Sequence, residues 1–336
     1  MPIIHVYDST SQAQVYLTAP LAGLGQVKFS VEPLSLATVD PEAEIISLFV
    51  TSVVDAETIA KMPKLKLIAC RSTGFDNINL QATAKLGITV VNVPSYGAHT
   101  VAEYTFGLML ALTRQIVAAS DAFHSGNADH DNLRGTDLYD KTLGIIGTGR
   151  IGRNVAAIAS AFGMNILAYD AYPDVSWAEK SKITYVELDD LIGKSDVISL
   201  HLPYFPEVHH LIDTKKLKLM RPTAILVNTA RGELVDTFAL VEALADGKLN
   251  GAALDVFEGE SMLDVHNELR TLRHSGKQAL LDQGLALDIL RKLPNVLVTN
   301  HNAFNTVEAV DRINQATVDN IKQFLAGDTH NNVAKK

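Results

Sequence analysis

The chain has 336 residues, 47% hydrophobic, 20% charged and 6% aromatic, with one cysteine and a net charge of -9. That length exceeds one ordinary core and suits two domains. The composition excludes a disordered or fibrous protein, and an acidic balance without a basic, aromatic-laced cluster argues against a nucleic-acid partner.

In chain order, "PIIHVY", "EIISLFV", "LKLIACRS" and "ITVVNVP" read as strands, with helices expected over Asp55 to Lys61 and Leu80 to Leu86, the latter closed by Gly87. Continuous aliphatic strands separated by helices predict a parallel sheet covered on both faces. From Thr100 to Ser120 the mostly apolar stretch has no proline, which predicts one long helix bridging two lobes. The polar, breaker-rich "FHSGNADHDNLRGTDLYDKT" then reads as a surface connection. A second series supplies "TLGIIG", "NILAYD", "DVISLHL", "AILVNTA", "NGAALDV" and "NVLVTN", as many strands as a doubly wound dinucleotide fold contains. Thr306 to Leu325 is helical and is expected to fold back on the first lobe. The expected fold class is α/β with two domains. One is a doubly wound Rossmann dinucleotide-binding domain over residues 99–301; the other is a smaller flavodoxin-like parallel-sheet domain from residues 1–98 plus 302–336.

The lone Cys70 leaves no internal disulfide and fits a reducing compartment, so the expected location is cytoplasmic. The first residues show no export pattern, and no apolar stretch reaches the length of a membrane span, so no membrane partner is expected.

"LGIIGTGRIGRNVA" places Gly147, Gly149 and Gly152 in the spacing GxGxxG between an aliphatic strand and a helical pattern. There the first glycine permits a tight turn, the second admits a pyrophosphate against the backbone, and the third lets helix and strand pack closely. Alone, the motif is also compatible with a glycine-rich turn that binds nothing. The next strand ends at Asp170, near the offset at which a carboxylate receives the adenine ribose hydroxyls. Its charge repels a 2′-phosphate, so NAD is the expected cofactor; the plainer reading of Asp170 is a strand-end turn former.

Ligands of such sheets lie beyond the carboxyl ends of the strands. Three later strands deliver Arg231, then Asp255 and Glu260, then His301 to that end. Singly, Arg231 is compatible with a surface ion pair, Glu260 with a solvated loop and His301 with a structural histidine. Together they are a cation, a carboxylate and an imidazole at successive strand ends. Histidine is the side chain whose ordinary pKa suits proton exchange at neutral pH. Arginine's planar fork suits a carboxylate. "HLPYFPEVHH" and "HSGNADH" lack the cysteine or carboxylate spacing of a zinc site, so they read as solvent-facing or strand-end residues and no metal is expected.

In this order, "GTGRIG", Asp170, "VNTARGELVD", "DVFEGE" and "NVLVTNHNAF" resemble the D-2-hydroxyacid dehydrogenase family over nearly the whole chain. "RSTGFDNI", "NVPSYGAHTVAEYT" and the Ala-Phe pair after the histidine resemble its D-lactate dehydrogenase branch. The resemblance implies an NAD-dependent oxidoreductase interconverting a 2-keto acid and a D-2-hydroxy acid, most simply pyruvate and D-lactate. It implies that Arg231 holds the substrate carboxylate and keto oxygen, that His301 is the acid and base, and that Glu260 pairs with His301. It further implies that the backbone at Thr73 and Gly74 and the Tyr96 hydroxyl receive the carboxylate. Arg150 and Ile151 would approach the pyrophosphate. Leu202, Pro203, Thr229, Ala230, Arg231 and Asp255 would line the ribose and nicotinamide.

Tyr96 and Phe304 suggest a confined apolar pocket. A broader 2-keto acid reductase and an NAD-sensing, corepressor-like binding protein are the competing readings. The apolar helix from Thr100 makes a homodimer or higher homo-oligomer plausible. The chain departs from the family pattern at Asn300, where proline usually precedes the histidine. It departs again after Glu260, where a long stretch to Pro294 reads as an amphipathic insertion plus a helix, suited to a lid or a subunit contact. Lobe closure about hinges near residues 99 and 301 is the expected motion.

Overall fold

The computed structural model describes residues 1–127, 129–258 and 278–333. The chain divides into two compact units, Met1–Tyr96 with Asn305–Lys336, and Gly97–Phe304.

The first unit is a five-stranded parallel sheet. Its strands are β1 (Ile3–Val6), β2 (Gln26–Phe29), β3 (Ile45–Leu48), β4 (Leu67–Cys70) and β5 (Thr89–Val91), in the order β2-β1-β3-β4-β5. β3 and β4 are buried along their whole length, as continuous aliphatic runs require when both faces of a sheet are covered. The helices are α1 (Ser11–Ala22), α2 (Ala56–Ala60) and α3 (Leu80–Lys85), with Gly87 left-handed at φ 69 just beyond α3. Asp55 caps α2 by accepting the Thr58 N–H, and Asn79 caps α3 through the Ala82 N–H. The C-terminal helix, Val307–Leu325, belongs to this unit and buries Val318 and Ile321 beside Ile4, Leu17 and Leu67. Beyond it the chain adds to the edge of β5, where the Val333 N–H donates to the Val90 carbonyl at 2.8 Å. Cys70 is buried in this core, and burial pushes its thiol up to about 12, which leaves it unreactive.

The second unit opens with α4 (Ala98–Thr113) and α5 (Ile116–His124). A single helix was expected here, but the chain breaks at Gln115, which is left-handed at φ 54. The cause is tertiary. The Thr113 carbonyl, which a continuing helix would use, instead accepts the Thr136 N–H at 2.8 Å. α4 begins just past the division between the units. It lies inside the second unit, where Ala102, Phe106 and Met109 share a core with Val155, Ala156 and Ala159.

The strands β6 (Thr142–Ile146), β7 (Asn165–Tyr169), β8 (Thr184–Tyr185), β9 (Val197–Leu200), β10 (Ile225–Asn228), β11 (Gly251–Leu254) and β12 (Val296–Val298) form a parallel sheet in the order β12-β11-β10-β9-β6-β7-β8. The two-residue β8 extends the six expected strands to seven. Because β6 pairs with both β7 and β9, the winding reverses there, which makes a topological switch point of the doubly wound kind. Connecting helices are α6 (Arg150–Ala161), α7 (Val175–Ser181), α8 (Leu188–Lys194), α9 (Thr214–Leu219), α10 (Thr237–Ala245) and α11 (Gln278–Leu290). No helix among the described residues is long and apolar enough to cross a membrane.

Candidate active site

The switch point carries the glycine turn. Gly147 is left-handed at φ 97, and a Cβ there would fall 2.7 Å from the His201 carbonyl oxygen. A Cβ on Gly152 would fall 2.0 Å from the Gly147 oxygen, so α6 packs on the turn more closely than any side chain permits. Gly149, between them, is the N-cap of α6; it has no side-chain cap, and a Cβ there would meet nothing within 4 Å. Two glycines close the turn on itself while the third leaves an open space in front of the first N–H groups of a twelve-residue helix. That space, with the helix's partial positive charge, suits a pyrophosphate. Arg150 and Ile151 are the first residues of this helix.

Asp170 follows β7, 22 residues beyond Thr148 in sequence, and binds back to the turn. Its Oδ2 accepts the Thr148 N–H at 2.7 Å and the Thr148 hydroxyl at 2.9 Å, and its Oδ1 accepts the Tyr172 N–H at 2.9 Å. Burial alone would raise its pKa. The N–H groups of Tyr172 and Thr148, the Thr148 hydroxyl and the charge of Arg153 outweigh that and hold it below the ordinary carboxylate range. A carboxylate has about four lone-pair positions, so Oδ1 keeps capacity for a ribose hydroxyl.

Leu202 and Pro203 follow β9, directly after His201. His201 is buried and braces the turn through its carbonyl. Its Nε2 lies 2.9 Å from the Ser199 hydroxyl, whereas Nδ1 has no hydrogen-bond partner among the described residues. Burial pushes its pKa down to about 3.

Beyond β10, the Asn228 side chain folds the next loop. Its Oδ1 accepts the Ala230 N–H at 3.0 Å and its Nδ2 donates to the Arg231 carbonyl at 2.8 Å. Thr229 is buried against the Thr105 hydroxyl of α4, 2.9 Å away. Arg231 is half-buried in extended backbone, and one guanidinium nitrogen donates to the Ala230 carbonyl at 2.7 Å.

Asp255 follows β11 and is fully buried. Its Oδ1 accepts the Thr299 hydroxyl at 2.6 Å and the Asn302 N–H at 2.8 Å, and its Oδ2 accepts the Ala303 N–H at 2.8 Å. Its backbone carbonyl accepts the His301 N–H at 2.8 Å. One residue therefore grips the chain at four successive points around the histidine. His301 is left-handed at φ 53, half-buried, with its ring centroid 6.4 Å from that of Phe304. Asn300 precedes the histidine, and the Asp255 clamp holds the loop from the neighbouring strand. Asp255 was expected beside the nicotinamide; its role in fixing the histidine loop was not foreseen. Glu260 lies outside the described residues, as does most of the stretch expected to form an insertion, and α11 begins at Gln278.

In the first unit, Thr73 and Gly74 follow β4 and Tyr96 follows β5. Arg71, 3% exposed, fixes the start of the former loop. Its guanidinium donates to the Tyr7 and Asp8 carbonyls at 2.7 and 2.8 Å and to the Ser47 hydroxyl at 3.1 Å. Burial pushes its pKa down to about 10, against the pull of Asp8. Asn92 Nδ2 donates to the Thr73 carbonyl at 2.7 Å, and Asn320 of the C-terminal helix donates to the Asn92 carbonyl at 2.9 Å. The Tyr96 carbonyl accepts Arg312 Nε at 2.8 Å. Sequence reasoning passed over Arg71, Asn92 and Asn320, whose partners are remote along the chain.

In the second unit, the register aligns Ile146 with Leu200, Leu200 with Asn228, Asn228 with Leu254, and Leu254 with Val298. Ile146 also aligns with Tyr169 of β7, so the carboxyl ends of these strands form one row, and Gly147, Asp170, Leu202, Arg231, Asp255 and His301 all follow them. Residues 106–303 match the model of the D-isomer specific 2-hydroxyacid dehydrogenase family's NAD-binding domain. The chain belongs to that family. The dehydrogenase is 41% identical over 296 residues to 2-hydroxyacid dehydrogenase homolog 1 of Schizosaccharomyces pombe, covering 86% of this chain and 85% of the relative. Its structure superimposes on that of Aquifex aeolicus D-lactate dehydrogenase, complexed with NAD and lactic acid, with a TM-score of 0.87 and 37% identity over 97% of this chain and 96% of the other. It superimposes on D-2-hydroxyisocaproate dehydrogenase with a TM-score of 0.81 and 30% identity over 99% of both chains. The dehydrogenase is thus an NAD-binding oxidoreductase of known family, and its glycine turn has the open cradle that NAD requires.

Proposed function

We propose that the dehydrogenase interconverts pyruvate and D-lactate. The observation that carries this reading is the row of strand ends, in which the open glycine turn, the Asp170 carboxylate, Arg231 and a clamped His301 follow neighbouring strands. When a 2-keto acid is reduced, the carbonyl carbon gains hydride and the oxygen gains charge and then a proton. NADH supplies the hydride when bound, so the step itself needs no metal.

The remaining work falls to the chain. Arg231 binds the carboxylate and keto oxygen through charge-assisted hydrogen bonds, each typically worth about 1.5–3 kcal/mol. His301 gives the proton in reduction and takes it back in oxidation, with Glu260 as its partner; such catalysis is worth roughly 10² to 10⁴ in rate. Thr73 and Gly74, with the Tyr96 hydroxyl, receive the carboxylate, and Tyr96 and Phe304 favour a short apolar substituent. Arg150 and Ile151 serve the pyrophosphate. Leu202, Pro203, Thr229, Ala230 and Asp255 line the ribose and nicotinamide. The likeness to the Aquifex enzyme with its bound lactic acid supports pyruvate over larger keto acids.

A homodimer or higher homo-oligomer is the accompanying proposal, because α5 buries none of its residues and exposes Ile116, Val117 and Phe123. The single, buried Cys70 supports a cytoplasmic setting. Rates of NADH oxidation with pyruvate, 2-ketoisocaproate and hydroxypyruvate test the substrate. The proposal expects kcat/KM for pyruvate to exceed the others by about tenfold or more, a difference of about 1.4 kcal/mol in transition-state binding. Preference for 2-ketoisocaproate would assign the broader reductase, and no oxidation with any keto acid would remove the catalytic reading.

A further inference from the structure

Three side chains that the proposed chemistry does not use come together in the second unit. His209, His210 and Glu258 each offer one ligand atom, and these atoms all lie within 4.8 Å of one another. Glu258, only 7% exposed, follows β11; its Oε1 lies 2.8 Å from His210 Nε2, and its Oε2 accepts the Thr237 hydroxyl at 3.2 Å. His210 is left-handed at φ 51 and its N–H donates to the Glu233 carbonyl at 2.8 Å. Consecutive residues of an extended chain point to opposite sides. The left-handed turn instead stacks the two imidazoles, with centroids 3.9 Å apart and planes 22° from parallel. Such backbone is strained for a non-glycine residue and persists where surrounding contacts impose it.

From this geometry we propose that His209, His210 and Glu258 form a binding site for a borderline divalent transition-metal ion, Zn²⁺ first, with water completing the shell. Imidazole nitrogen with carboxylate oxygen suits Zn²⁺ or Co²⁺ and not Mg²⁺ or Ca²⁺, which take oxygen shells. With bonds of about 2.1 Å, neighbouring ligand atoms of such an ion sit roughly 3.4 Å apart, within reach of the observed spacing, and because an imidazole binds in its ring plane the exposed His209 ring must turn out of the stack to meet the ion. One outer contact is in place, the Thr237 hydroxyl that orients Glu258, and the Glu233 carbonyl holds the backbone of His210 through its main-chain N–H. The ion would fasten the loop after β9, which carries Leu202 and Pro203, to the segment after β11, which carries Asp255. Its role is structural. Sequence spacing hides the site because Glu258 lies 48 residues from His210.

The test uses tag-free, chelator-stripped full-length protein. Calorimetric titration with ZnCl₂ should give one ion per chain with a Kd of about 10 μM or tighter, a free energy near -7 kcal/mol. CoCl₂ should give a visible absorption band, MgCl₂ neither signal, and saturating Zn²⁺ a Tm raised by roughly 3 °C or more. His209→Ala, at an exposed ring that does not endanger the fold, should weaken Zn²⁺ binding about tenfold or more, and His210→Ala at least as much. Absence of saturable Zn²⁺ binding would overturn the proposal, and so would binding unchanged in both variants, which would place the ion on other histidines.

Discussion

The turn after β6 and the loop after β12 lie at the same end of one sheet, yet different forces hold them. The turn is built by removing side chains: Gly147 and Gly152 approach backbone so closely that a methyl on either would collide. The histidine loop is built by adding one: the Asp255 carboxylate collects three donors and its carbonyl a fourth, fixing a left-handed His301. A surface that greets a phosphate needs bare backbone in an unusual conformation, whereas a proton donor needs one side chain aimed in one direction. The first is a property of local sequence; the second is imposed from another strand.

Of the substitutions that probe how these two segments are held, breaking the clamp should have the largest effect. Asp255→Asn turns one acceptor into an NH₂ group facing an existing donor. A misplacement of His301 by about 1 Å should cost roughly 10² in kcat, and loss of hydrogen bonds to a charged group should lower Tm by several degrees. Thr299→Val removes a single donor and should cost less on both counts. Native kcat in Asp255→Asn, measured by NADH oxidation beside thermal melting, would show that the loop holds itself.

The glycine turn separates fold from ligand. Gly152→Ala should destabilise by about 1–3 kcal/mol as α6 is forced off the turn. Gly149→Ala meets open space and should leave Tm within about 2 °C while raising the NADH Kd about tenfold or more. Melting and NADH fluorescence titration check both, and a larger Tm loss from Gly149→Ala would reverse the assignment.

Two pH effects follow on a smaller scale. His201 is held neutral, with its pKa pushed down to about 3 against an ordinary 6.5. The unfolded chain therefore takes up a proton that the folded one refuses, so stability is full above 6.5 and declines as pH falls toward 3. His201→Asn should flatten that decline in acid melting curves; an equal slope would contradict the burial account. Asp170 runs the same way from a lower start. Its folded pKa lies below 3.8, so its contribution is present above that value and is lost as pH falls through the folded one. The Tm gap between wild type and Asp170→Asn should be full at neutral pH and close in strong acid.

These contrasts explain what the sequence discloses. Aliphatic runs such as "DVISLHL" announce buried parallel strands, and the glycine spacing announces the turn, because both are written in neighbouring residues. The strand "QVKF" is half polar and buries none of its residues, and "TY" is only two residues long, so neither reads as an apolar run. The break at Gln115 comes from a loop twenty residues downstream taking the Thr113 carbonyl. The clamp on His301 and the His209, His210 and Glu258 cluster join residues more than forty apart, and only the β9–β10–β11–β12 order brings them together. Arg71 and Asn92 anchor the Thr73 loop in the same non-local way.

The proposed reaction depends on the imidazole at the end of β12 moving the substrate proton. His301→Gln in NADH-linked pyruvate reduction tests it most directly: kcat should fall by roughly 10² to 10⁴ while the NADH Kd stays within about threefold. A variant that turns over pyruvate at the wild-type rate, or one whose loss is entirely in NADH binding, would contradict it.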